Sequence, residues 1–173
     1  ACSEEAAIPK PKGYFRIDMP EHLYKPYVSE EAPVQFEIPE YALVVKNPRY
    51  REDNKVYDMH FPRFNASLHL TYLELNNNLP EYTQACQDLA MEHRVKASRI
   101  DETRVENLRD SVFGVAYDLE GNVASNYQFF LTDSTNHFLR ASLYFNVAPN
   151  LDSLAPSVAH VKEDLVHPSL DVL

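Results

Sequence analysis

Apolar and polar residues alternate strictly along Val34-Gln35-Phe36-Glu37-Ile38, which puts Val34, Phe36 and Ile38 on one face of a strand. The same period of two runs from Ala66 to Leu75, where Leu68, Leu70, Tyr72 and Glu74 oppose Ser67, His69, Thr71 and Leu73. Shorter extended segments are predicted at Tyr14 to Asp18, Tyr41 to Lys46 and Val56 to Phe64, with Asn47 to Lys55 a charged loop. Pro62 has no amide hydrogen to give a ladder, so it must sit at an edge, a bulge or a strand end. Ile100 to Leu108 reads as a weaker strand. Val112 to Leu119 and Val123 to Thr132 read as a hairpin around Glu120-Gly121-Asn122, with Gly121 supplying a positive φ. A second turn at Asp133-Ser134-Thr135-Asn136 leads into Phe138 to Val147.

The period changes in two places. Leu79, Tyr82, Cys86, Leu89, Ala90 and His93 recur at three- and four-residue steps, one face of a helix capped by Asn78, with Pro80 and Glu81 in its first turn. Leu154, Val158, Val161 and Leu165 mark a second helix, capped by Asp152 or Ser153 and ended by Pro168. The stretch between Met19-Pro20 and Ala32-Pro33 is proline-spaced and predicts no element. Runs of antiparallel strands with two separated helices make an α+β domain whose helices cover the apolar faces of a sheet.

The first 13 residues break from this patterning. They are small, acidic and proline- and lysine-alternating, with no face to bury, and read as an extended tether; residues 14–173 form the single domain. Ala1-Cys2, a small residue before cysteine with an acidic tether after it, has the form of a bacterial lipoprotein after leader removal. Cys2 is therefore the expected lipidation site, holding the domain at a membrane.

Composition narrows the function classes. A net charge of -10, from 26 acidic and 16 basic residues, argues against a nucleic-acid partner, which needs a positive footprint. Only Gly13, Gly114 and Gly121 are present, which removes the glycine-rich phosphate loops. Two cysteines cannot make a disulfide framework, and no apolar run approaches a membrane span.

The remaining candidates for chemistry each have a plainer role. Cys86 falls on the apolar helix face, where a free thiol behaves as a small hydrophobe. The seven histidines, at positions 22, 60, 69, 93, 137, 160 and 167, form no H-x-H or H-E-x-x-H pattern, so no metal site is expected. Asp133, Ser134 and His137 crowd one turn without a nucleophile elbow and read as turn formers; no catalytic residue and no cofactor is expected. Alternation puts Phe138, Arg140, Ser142 and Tyr144 on one face and Leu139, Ala141, Leu143 and Phe145 on the other, the core face. Arg140 between two rings is either a contact surface or an arginine stacked under a helix.

Three separated segments carry a family resemblance: Pro9 to Asp18, Phe61 to Asn65 leading into Ser67 to Thr71, and Thr132 to Arg140 continuing through Leu143 to Phe145. In this order they resemble GldD, the gliding motility-associated lipoprotein family of Bacteroidetes, with Ala141 standing where a glycine is expected. The resemblance spans nearly the whole chain. It implies acylation of Cys2, a place in the cell envelope beside the gliding and type IX secretion apparatus, and no enzymatic activity. The order of elements also resembles the Mog1/PsbP-type α/β/α sandwich, which is tied to no single chemistry. Ser3-Glu4-Glu5 resembles a surface-export signal. The triplets at Asp110, Asp133 and Asp152 resemble O-glycosylation acceptors of the phylum, although turns and helix caps use the same residues.

These readings converge on a monomeric, membrane-anchored envelope lipoprotein, facing periplasm or cell surface, that docks onto other envelope proteins. The docking surface is expected at an edge strand or around Tyr14, Arg16, His137, Arg140 and Tyr144. The alternative is a small-molecule or lipid carrier with an apolar pocket between sheet and helix.

Overall fold

Ten strands and two helices follow one another in the computed structural model, which describes residues 18–30, 32–48, 55–147, 151–166 and 170–172. The tether with Cys2, the segment with Tyr14 and Arg16, and Pro168 lie outside the described residues. The strands are β1 (Tyr24–Val28), β2 (Val34–Pro39), β3 (Leu43–Lys46), β4 (Lys55–Phe61), β5 (Ala66–Glu74), β6 (Ala97–Asn107), β7 (Val112–Gly121), β8 (Ser125–Thr132), β9 (His137–Phe145) and β10 (Leu170–Val172). The helices are α1 (Leu79–Met91), after β5, and α2 (Leu151–Val166), after β9.

Seven strands form one antiparallel sheet in the order β3-β4-β5-β9-β8-β7-β6, and β1, β2 and β10 form a smaller antiparallel sheet. Pairing of β5 with β9 places Leu70 opposite Ala141 and Thr71 opposite Arg140, so the alternation in both strands lands in register. One face of the large sheet carries Leu68, Leu70, Phe129, Leu131, Leu139 and Leu143, and packs against α2 through Val158 and Val161 and against Val34, Phe36 and Ile38 of the small sheet. The other face carries Tyr117, Phe130 and Phe138 and packs against Cys86 and Ala90 of α1. The layers are therefore α1, the seven-stranded sheet, then α2 with the small sheet.

Local chemistry sets the boundaries. Pro62 ends β4 by starting a single 3-10 turn over Pro62–Phe64, closed by Asn65 at φ 47°. Gly121 holds φ +113° at the end of β7, where a side chain would collide with the backbone of Lys96 and Ser98. Lys162 of α2 pairs with Asp118 of β7 and lies over the Tyr127 ring, fixing the helix across the sheet.

Three expectations change. The proline-spaced stretch contains β1, which pairs with β2 from Tyr24 opposite Pro39 to Val28 opposite Gln35; as an edge strand it accommodates Pro26. The weak strand after α1 is an 11-residue edge strand, β6, three residues longer at its start. The second helix begins at Leu151, so Asp152 and Ser153 fall in its first turn.

Candidate functional site

β9 presents its two sides to two different layers. His137 shares its side with Leu139 and Ala141, and its Nδ1 lies 2.7 Å from the Tyr72 hydroxyl. Arg140 and Tyr144 belong to the α1-side face. The structure therefore puts Arg140 and Tyr144 on one face and His137 on the other, because odd and even positions of a strand point to opposite faces.

On the α1-side face, the helix covers the end of β9 around Phe138, whose ring lies 5.5 Å from that of Tyr82. Farther along, polar side chains line up across the sheet. Asp58, His69, Ser142 and Gln128 are register partners on four successive strands, β4, β5, β9 and β8. His69 Nδ1 lies 2.5 Å from Asp58 Oδ1, and Asn47 donates to the other carboxylate oxygen at 2.6 Å. The His69 ring sits 5.2 Å from that of Tyr144. Arg140 donates to Gln128 Oε1 at 3.4 Å and borders Cys86 of α1. Burial pushes the Cys86 thiol up to about 11, with Arg140 opposing the shift, so this cysteine stays a neutral core group. Ser142 Oγ is buried with no hydrogen-bond partner among the described residues.

At the turn before β9, the Asp133 carboxylate accepts backbone N–H groups of Thr135, Asn136 and His137. Burial raises the Asp133 pKa, but these amides outweigh it and hold the carboxyl at about 2. Asp133 thus binds the backbone of its own turn, and the His137 ring turns away to Tyr72.

A second polar cluster lies on the opposite side of the sheet and was not foreseen. Asp164 of α2 has a fully buried carboxylate. His22 Nδ1 meets it at 2.5 Å, the Tyr24 hydroxyl donates to it at 2.9 Å, and the Tyr41 hydroxyl donates to its second oxygen. His160, one helical turn before Asp164, stacks on His22 with ring centroids 4.2 Å apart. The hydrogen bond to Asp164 raises the His22 pKa, whereas burial first, and then the neighbouring His22, lower that of His160. Burial, then the bond to Asp164, takes Tyr24 up to about 12, so both phenols remain donors. The expectation of no metal site rested on the lack of a short histidine motif, yet the fold gathers His22, His160 and Asp164 into a set of potential ligands. The available signal was the i, i+4 pair His160 and Asp164, which borders the apolar stripe of α2.

A profile describing the gliding motility lipoprotein GldD matches residues 4–168. The chain belongs to this family. Membership makes it a gliding motility lipoprotein of the cell envelope, anchored to a membrane. Among the described residues no helix is long and apolar enough to cross one. The fold is PsbP-like: the solution structure of cyanobacterial PsbP (CyanoP) from Synechocystis sp. PCC 6803 is similar with a TM-score of 0.52. The likeness covers 89% of this chain and 95% of that one at 10% identity, and shows the fold alone. No curated protein matches the chain.

Proposed function

We propose that this chain is a non-catalytic interaction component of the gliding motility or type IX secretion machinery, held at a membrane by an acyl group on Cys2. Its partner is another envelope protein, met on the α1-side sheet face beyond the helix. The observation that carries this reading is the polar and aromatic band of Asp58, His69 and Tyr144, which continues from Arg140 at the border of α1. Arginine and tyrosine on a rigid strand offer planar hydrogen bonding and ring area at small entropic cost. The long edge of β6 suits strand addition poorly, because Arg99, Asp101, Glu102, Arg104 and Glu106 charge it along its length.

The test compares Arg140→Ala and Tyr144→Ala with the natural sequence in acylated protein. Envelope co-purification and the motility or secretion phenotype are read alongside thermal stability. Loss of co-purifying protein and of phenotype with the melting temperature retained is the expected result. Unchanged binding and phenotype in both variants overturns the proposal.

One observation favours a carrier role. A cleft of about 660 Å³ opens between β6–β7 and the end of α2, lined by Val105, Val112, Tyr127, Phe129, Leu131 and Leu165. Lipid extraction of protein purified from its own envelope, followed by mass spectrometry, tests it; a stoichiometric amphiphile supports this reading and an empty extract rejects it.

A further inference from the structure

His160 and Asp164 stand one turn apart on α2, and His22 reaches them from the segment before β1. The potential ligand atoms of the three lie within 4.8 Å of one another. Two imidazoles and a carboxylate are a donor set that suits zinc and similar divalent ions, with a fourth position left to water. Bonds of about 2.0–2.1 Å in a tetrahedral zinc site place its ligand atoms about 3.3 Å apart. Two spacings here bracket that value: 2.5 Å from His22 Nδ1 to Asp164 Oδ1, and 3.9 Å from His160 Nε2 to Asp164 Oδ2. These contacts use different oxygens of the carboxylate; with one ligand atom from each residue, all three lie within 4.8 Å, so closing a tetrahedral site takes shifts of about 1–2 Å.

Such a cluster by itself does not separate an ion site from a buried ion pair. His160 does. Its side chain is 9% exposed, and its Nε2 is buried without a hydrogen-bond partner among the described residues. At 3.9 Å from Asp164 it is too far for a hydrogen bond, and a buried imidazole nitrogen is rarely left unsatisfied. The surroundings also form an outer shell. Tyr24 and Tyr41 both donate to Asp164 and orient its carboxylate, and Glu163 lies 3.5 Å from His22 Nε2, the ring nitrogen that faces away from Asp164.

We propose that His22, His160 and Asp164 form a binding site for a zinc-type divalent cation that ties the segment preceding β1 to α2. The fourth ligand is water, and Tyr24 and Tyr41 hold the carboxylate in place. The site lies on the side of the sheet opposite the docking face, so it stands or falls independently of that reading.

The test titrates chelator-treated protein with zinc chloride by calorimetry and with cobalt chloride by visible absorption. One ion per chain, the absorption of four-coordinate cobalt and a higher melting temperature with zinc are expected. His22→Gln, at a partly exposed position, and His160→Gln should each weaken binding by at least about tenfold, and Tyr24→Phe by up to about tenfold. His93→Gln, beyond α1, should bind as the natural sequence does. Circular dichroism identifies which variants are folded, and His22→Gln is the one least exposed to misfolding. Failure of the natural sequence to bind zinc saturably, or equal binding by the folded His22→Gln variant, overturns the proposal.

Discussion

His22 and Asp164, separated by 142 positions in the chain, share a contact of 2.5 Å in which the carboxylate has no solvent exposure and the imidazole is 34% exposed. The same carboxylate serves two tyrosines, so its removal takes one bond from three donors at once. Asp164→Ala should lower unfolding free energy by about 3 kcal/mol, measured by urea denaturation in the presence of chelator.

The two stacked histidines should give pH slopes of opposite sign. The folded His22 pKa is raised, so its stabilisation is complete below the unfolded value of about 6.5 and fades as pH rises through the folded value. The folded His160 pKa is lowered, so stability is lost as pH falls below about 6.5 toward its folded value. In metal-free protein, His22→Gln should leave stability rising with pH up to about 6.5 and level above it, and His160→Gln should leave it falling as pH rises above about 6.5. Denaturation midpoints at several pH values decide this; slopes of equal sign in the two variants contradict the assignment.

Asp133 gives an acid transition of its own. Its folded pKa of about 2 lies below the ordinary aspartate value of 3.8, so its contribution is present above pH 3.8 and disappears as pH falls toward 2. Partial exposure reduces the effect to about 1 kcal/mol. Asp133→Asn should flatten the stability profile in that window and leave the slopes above pH 5 as in the natural sequence.

Gly114 is fixed by close approach. A β-carbon there would strike the Phe130 carbonyl oxygen of the neighbouring strand β8, backbone that cannot swing aside. Gly114→Ala should therefore cost about 2 kcal/mol or more despite alanine's modest size, seen as a lowered melting temperature.

Ser142 predicts the reverse. Its hydroxyl is buried and lacks a hydrogen-bond partner among the described residues, so deleting it removes a desolvation cost without breaking a bond. Ser142→Ala should be neutral or stabilise by up to about 1 kcal/mol in denaturant melts.

Much of this architecture is readable in the chain because strand burial repeats every second residue. Leu68, Leu70 and Tyr72 announce β5, and Leu139, Ala141 and Leu143 announce β9, since each set must reach one core. Tyr24-Lys25-Pro26-Tyr27-Val28 gives no such signal: β1 is an edge strand, only half-buried, and takes its register from β2. His137 illustrates the same rule from the other side, because its odd position separates it from Arg140 and Tyr144 whatever their chemistry. Of the Asp164 cluster, only the i, i+4 pair His160 and Asp164 shows in local pattern. The cluster's members come from the segment before β1, β1 itself, the turn after β2 and the last helix, and only three-dimensional packing brings them together.

The bonds at Asp164 also decide where load enters the folded body. Any pull exerted through the chain ahead of residue 18 reaches His22 and Tyr24, both joined to the last helix. Traction on that end is thus passed into α2 and across the central sheet through Lys162 and Asp118, instead of peeling β1 away one rung at a time.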